Sequence, residues 1–346
     1  MKLLKISIVI GIVIGIAVLI LVSRSRRQEA VFYPMGGIPF KVVAYGRSAS
    51  EFRDDMEAVK ARVAALEHVF SRYDAYSELT KINQAGTVVP IEVSPDLFSI
   101  LMSSGKWHVL SKGAFDPSVT PLIELWKNAE KTKSLPTDEE VANARKRVGF
   151  KYISYTDDGR VLFTKQGMAL DFGAIAKGWI ADEVAKLLKK RGVKRAIIDA
   201  GGNALTFGDG TFTFGIADPR FSGRKELMGT VDVSEGGVVT SGNYERFVTI
   251  DGKRYSHIID PRTGRPVNNG LVAATVIGGT GTDADALATS IMVLGKEGAT
   301  KLLKQLPECK ALLVEKKDGI WHVWASFSLL SRLRLSGMWA DNVHTF

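Results

Sequence analysis

Hydrophobic and polar positions along this chain repeat with two periods, and the changes of period mark its elements. Phe52, Met56, Val59, Val63, Leu66 and Phe70 recur at helical spacing, and Ser48 with Glu51 forms the capping box that starts such a helix. Ser94-Pro95-Asp96 opens a second helix, with Ser94 as cap and Pro95 in its first turn, and Gly113 ends it. Ile180, Val184, Leu187 and Leu188 make the apolar stripe of a third, which follows Lys177 and stops at Gly192. Val31 to Tyr45 reads as a strand pair about the turn Met35-Gly36-Gly37-Ile38-Pro39, and Lys151 to Leu162 as a hairpin broken at Asp157-Asp158-Gly159. Ala196 to Asp199 is a short buried strand running into Gly201-Gly202-Asn203, and Thr211 to Val276 is mostly strands. Two helices are expected over roughly Asp283 to Leu306, then a hairpin turning at Lys317-Asp318-Gly319; from Ser328 to Phe346 no pattern emerges. Antiparallel hairpins with intervening helices predict an α+β fold of mixed and antiparallel sheets with packed helices, not a doubly wound sheet.

The N-terminus stands apart. Ile6 to Val22 carries no charge, a length at the lower limit for a membrane span and the upper end for a signal-peptide core. No small-residue cleavage site or lipid-accepting cysteine follows, so an uncleaved signal anchor is expected, with residues 1–28 as anchor and linker and 29–346 as the catalytic domain. Positive residues flank the segment on both sides, so charge asymmetry does not orient it. The net charge of +9 suggests nucleic acid until its distribution is considered, because Lys2, Lys5, Arg24, Arg26 and Arg27 all lie around that segment. The rest has no basic stripe interleaved with aromatics, and nucleic acid is excluded as a partner. The single cysteine, Cys309, excludes an intramolecular disulfide and a thiolate cluster.

Two segments carry chemistry. Leu170-Asp171-Phe172-Gly173-Ala174-Ile175-Ala176-Lys177-Gly178 leaves a strand-like stretch, turns on glycine and opens a helix with a lysine in its first turn. Such a turn offers free backbone N–H groups and a cation to a phosphate, although glycine there also serves plain turn chemistry. In Ala284-Asp285-Ala286-Leu287-Ala288-Thr289 a carboxylate and a hydroxyl fall four residues apart, on one helix face, where both could grip one ion.

These segments belong to a series. Met35-Gly36; Ser71-Arg72-Tyr73 with Ser77-Glu78-Leu79 and Asn83; Gly113 to Pro117; Asp171 to Gly178; Gly201-Gly202-Asn203; Thr240-Ser241-Gly242; His257 to Pro261 with Thr263-Gly264; and Ala284 to Thr289 follow one another along the chain. In content and order the series resembles the FAD:protein FMN transferases, a family formerly described as thiamine-biosynthesis lipoproteins. The resemblance covers nearly everything after residue 31.

The resemblance implies a cleft for FAD between two subdomains. It also implies Mg²⁺-dependent transfer of FMN from FAD to a threonine hydroxyl of an acceptor flavoprotein, with release of AMP. Met35, Tyr73, Ala114, Phe115, Asp116, Asp171, Lys177 and Ile259 match positions that bind FAD. The Ala174 carbonyl, Asp285 and Thr289 match metal ligands, and His257 and Asp285 the catalytic pair. Five of these have a plainer alternative: Phe115 and Met35 as core, Asp171 as a turn cap, Lys177 as a solvated lysine, and His257 as part of a structural turn to Pro261. The chain departs from the pattern at Gly37, where many relatives carry threonine, and at Ala288, where many carry an acid. Acceptors in this family present a Ser/Thr-Gly-Ala-Ser/Thr segment; Glu297-Gly298-Ala299-Thr300 is a near miss, so a separate acceptor is implied. The catalytic body is expected outside the cytoplasm, on the periplasmic side. Two other functions stay open on sequence: an FAD pyrophosphatase giving FMN and AMP, and a flavin-binding carrier without turnover.

Overall fold

Nine strands form one sheet in which spatial order follows chain order: β1 (Arg27–Phe32), β2 (Phe40–Tyr45), β3 (Arg195–Ala200), β4 (Asn203–Phe207), β5 (Gly236–Gly242), β6 (Leu271–Gly278), β7 (Cys309–Lys317), β8 (Ile320–Ala325) and β9 (Val343–Thr345). This is a computed structural model, and it describes residues 27–85, 89–221, 226–244 and 247–346. The apolar segment Ile6 to Val22 lies outside the described residues, and no described helix is long and apolar enough to cross a membrane. Every neighbouring pair in the sheet is antiparallel except β8 and β9. β1 begins at Arg27, the first of the described residues.

The strand period divides the core. Along β7, Ala311 and Leu313 join one hydrophobic cluster while Leu312 and Val314 join another, as alternating side chains require. The first and larger cluster receives four long helices, α1 (Ala49–Phe70), α2 (Pro95–Leu110), α3 (Ala176–Lys190) and α4 (Gly281–Leu303), and Leu79 and Ile82 of the short helix Glu78–Ala85. α1 begins with the expected capping box at Ser48 and Glu51 and buries all six residues of its stripe. The opposite face is covered by a small sheet of Phe212–Ala217, Leu227–Val233 and Leu333–Leu335, together with Trp339. A third cluster sits beneath the helix Thr120–Thr132 and the hairpin of Phe247–Ile250 and Lys253–Ser256; it includes Trp126, Val248, Ile250 and Ile259.

Two readings are sharpened by the structure. The region expected as two helices is α4, broken internally at Gly295, whose backbone (φ 71°, ψ 179°) is not helical. Asn269 Nδ2 donates to the freed Met292 carbonyl at 2.9 Å and to that extent repairs the break. The tail without pattern returns through a 3₁₀ turn and the short strand Leu333–Leu335 to lay β9 along β8. Trp339 anchors it, buried and donating from Nε1 to Asp218 Oδ2 at 2.9 Å.

Candidate active site

The α3–α4 contact fixes the centre of the site. Gly178 in the first turn of α3 donates its N–H to Asp285 Oδ2 on α4 at 3.0 Å. A Cβ at Gly178 would run into the Gly281 carbonyl oxygen, so the two helices approach this closely only because the residue is glycine. Asp182, one turn further along α3, accepts from the N–H groups of Gly281 and Thr282, each at 2.8 Å, and caps α4. Burial pushes the Asp182 carboxyl above the usual carboxylate range, against the hydrogen bonds from Thr282 and Gly281 that pull it down. Asp285 is thereby held from two sides at 2% exposure.

Around it the sequence motifs meet. Lys177 Nζ lies 3.8 Å from Asp285 Oδ2 and donates to the Gly173 carbonyl at 3.1 Å. Thr289, one turn along α4 from Asp285, has its hydroxyl 3.3 Å from that of Ser241 on β5. Asp171 receives Arg72 Nη1 on Oδ2 at 2.7 Å and the Gly173 N–H on Oδ1 at 2.6 Å. Its turn-capping role is therefore real, and it holds a cation as well. Asn83 clamps the preceding residue, donating to the Leu170 carbonyl at 3.0 Å and accepting its N–H at 2.7 Å. Asp171 N–H donates to the Pro117 carbonyl at 2.8 Å, which ties in the Gly113–Pro117 motif. Gly113 in turn faces the Arg262 side chain, just past the His257–Pro261 stretch. At the sheet's other side, Gly201 packs under Ile38 and donates its N–H to the Pro39 carbonyl at 2.9 Å, uniting the Met35 turn with the Gly201-Gly202-Asn203 motif. Met35 is half-buried against the main cluster with φ 53°, the left-handed region, at the head of that turn.

Not every expected residue presents its side chain. Ala114 and Phe115 are buried, Phe115 in the main cluster, which is the core alternative for that ring. Asp116 has its four lone-pair directions occupied by the protein: Ser118 N–H and hydroxyl on Oδ1, Phe150 N–H and His108 Nδ1 on Oδ2. Ile259 is buried in the third cluster. Tyr73 is the opposite case, 78% exposed, with its hydroxyl taking a hydrogen bond from Lys127 Nζ at 3.2 Å. An open ring beside Arg72 and Lys127 suits stacking on a heteroaromatic face. His257 is exposed where its loop enters the short strand Ile259–Asp260, and Ala174 is half-buried in the turn before α3. Arg72, Asn83, Asp182 and Gly178 belong to the site's framework although sequence singled out none of them as a site residue; only their partners reveal them.

The chemistry of the donors fits a hard divalent ion. A carboxylate at Asp285, a hydroxyl at Thr289 and a carbonyl at Ala174 are oxygen ligands of the kind Mg²⁺ takes, and it keeps part of its shell as water. Among the described residues no three His, Cys, Asp or Glu side chains gather as a metal group. The protein thus supplies one carboxylate here. Ala288 is fully buried in the main cluster. Glu297 to Thr300 is helical within α4, its Thr300 hydroxyl donating to the Lys296 carbonyl at 2.9 Å, which disfavours it as an acceptor segment. A separate groove of about 420 Å³ is lined by Trp107, Asp182, Lys186, Lys189 and Asp283 and contains none of the expected site residues. Its lysines are answered by acids, Lys186 by Glu183 and Lys189 by Glu235.

Within a mixed α+β body, the Asp285 carboxylate and the Lys177 ammonium meet where α3 packs on α4, with the Thr289 hydroxyl one turn further along α4. The ApbE family model matches residues 37–313, and the chain belongs to the ApbE family. It is 33% identical over 307 residues to an FAD:protein FMN transferase of Treponema pallidum, covering 84% of each chain. It is 34% identical over 272 residues to one from Klebsiella pneumoniae, covering 76% of this chain and 84% of that one. The crystal structure of the ApbE protein from Thermotoga maritima superposes with a TM-score of 0.78 at 29% identity, over 89% of this chain and all of that one.

Proposed function

We propose that this chain moves the FMN half of FAD onto a threonine hydroxyl of an acceptor flavoprotein and releases AMP, with Mg²⁺ as its metal. Family membership and the flavin transferases among its relatives support transfer of FMN from FAD to a protein. The observation that carries the site assignment is the buried Asp285, fixed by the Gly178 N–H, with Lys177 beside it and Thr289 one turn away.

The acceptor oxygen bonds to the FMN-side phosphorus as the bond from that phosphorus to the bridging oxygen breaks. AMP leaves with the bridging oxygen, and the hydroxyl proton passes to a base. Because both ends of this displacement carry negative charge, positioning and neutralisation dominate catalysis. Lys177 supplies a point charge to a phosphate oxygen. Arg72 and Asp171 orient the turn that holds Ala174, and Tyr73 offers a ring to the flavin or adenine. His257, which is exposed, and Asp285 are the residues we assign to take the proton. The Ala174 carbonyl, Asp285 and Thr289 would hold Mg²⁺, which when bound neutralises pyrophosphate charge. An N-terminal anchor would keep this body at the membrane, facing the periplasm, where acceptor flavoproteins with a Ser/Thr-Gly-Ala-Ser/Thr segment would meet it.

The full-length chain mixed with FAD, Mg²⁺ and a small protein displaying Ser-Gly-Ala-Thr tests this. An FMN-sized mass gain on that threonine, with AMP in solution and loss of both on adding EDTA, is the expected result. Free FMN and AMP without labelling would replace the transferase with a pyrophosphatase, and FAD binding without either product would replace it with a carrier.

A further inference from the structure

At the far edge of the main sheet, β8 and β9 bring together the histidines His322 and His344. His322 Nδ1 and His344 Nε2 lie 3.4 Å apart, with ring centroids separated by 5.5 Å. Two imidazole nitrogens at a Zn–N distance near 2.0–2.1 Å, spread at the tetrahedral angle, stand about 3.4 Å apart. We propose that this pair is a two-histidine chelate for a divalent transition ion such as Zn²⁺, distinct from the Mg²⁺-type site at Asp285.

The rings are held before any ion arrives. His344 lies against Trp324, ring centroids 4.5 Å apart and planes inclined by 30°. Trp324 is fixed by its Nε1 donating to Glu315 Oε2 at 2.9 Å. Glu315, opposite His322 in the strand register, also faces Lys296 Nζ at 3.8 Å, so that acid is committed to a tryptophan and a lysine. That leaves two nitrogen ligands from the protein and open positions for water, consistent with the lack of any three-ligand group among the described residues. Neutral imidazole suits Zn²⁺, Ni²⁺ and Cu²⁺ and not Mg²⁺, so the two sites select different ions. The physical consequence is local. β9 has only three residues and pairs with β8 alone, and an ion shared by His322 and His344 would clip the C-terminal strand to the sheet.

The test titrates the full-length chain with Zn²⁺ in excess Mg²⁺, reading free Zn²⁺ with a chromophoric chelator and strand opening by amide exchange. The wild type should bind one equivalent that His344→Gln and His322→Gln each weaken by at least about ten-fold, having lost one of two protein ligands. Zn²⁺ should slow exchange in residues 343–345 of the wild type and not in His344→Gln. His344 is exposed on an edge strand, so that variant keeps the fold. No Zn²⁺ binding by the wild type, or binding by both variants as strong as that of the wild type, would overturn the chelate. So would an equivalent lost in His257→Ala and retained in His344→Gln.

Discussion

The Gly178 N–H donates to Asp285 Oδ2 at 3.0 Å, at the point where α3 and α4 come closest. Adding one methyl group at position 178 tests whether that approach sets the site. The Cβ would meet the Gly281 carbonyl oxygen and come within 2.9 Å of Asp285 Cβ, both of which belong to packed helix and cannot swing away. Overpacking of this kind costs about 1–3 kcal/mol. Gly178→Ala should therefore lower the denaturant midpoint and, by displacing Asp285, abolish most AMP release; wild-type values for both would show that the helices have slack.

Charge and shape at Asp285 separate cleanly. Asp285→Asn keeps an oxygen to accept the Gly178 N–H and nearly the same volume, yet carries no negative charge. Stability should stay within about 1 kcal/mol of the wild type, the scale of one altered hydrogen bond. Turnover in Mg²⁺ should fall by about 10²-fold or more, as expected when a group that manages charge or protons is lost. Equal AMP release from the two proteins would remove Asp285 from both the metal and the base role.

Much of this fold was legible because its signals are local. The stripe from Phe52 to Phe70, the cap at Ser48 and the hairpin turns depend on residues within a few positions of each other, and the structure places them as expected. The order of motifs also named Asp171, Lys177, Asp285 and Thr289, which do converge. What the sequence hid depends on distant partners. The tail is readable only once Leu333 and Leu335 meet Val231 and Gly229 across the small sheet, a hundred residues away in the chain. Asp116 looked like a ligand-binding acid, and its carboxylate is turned inward by Ser118, Phe150 and His108. Arg72 sat unremarked inside a motif until Asp171 appeared opposite it.

The His108–Asp116 pair gives a pH dependence with a definite sign. The hydrogen bond to Asp116 raises the His108 pKa above its ordinary value, against the opposing effect of burial. A raised folded-state pKa means the pair stabilises the protein fully below the unfolded value, about 6.5, and that this contribution is lost as pH rises through the folded value. His108→Gln should accordingly lose more stability at pH 5.5 than at pH 8.5, measured as the difference in unfolding free energy from the wild type at each pH. A larger loss at pH 8.5 would mean that His108 acts in its neutral form.

Cys309 should be chemically silent while the protein is folded. It is buried at the start of β7, its sulfur close beneath Gly279, and burial above all, then the charges of Glu308 and Asp283, push its thiol up to about 12. Only the thiolate reacts, and at pH 8 a group with that pKa is ionised to roughly one part in 10⁴, against about a quarter for an ordinary thiol near 8.5. Burial removes access as well, so both factors act in the same direction. Iodoacetamide at pH 8 should leave the intact mass of the native chain unchanged over hours and add one carbamidomethyl group within minutes once denaturant is present. Flavin transfer should likewise be indifferent to thiol reagents and to reductant. Rapid modification of the native protein would require the α4–β7 junction to open far more often than its packing around Gly279 and Asp283 implies, and the position of Asp285 on the same helix would then have to be re-examined by exchange.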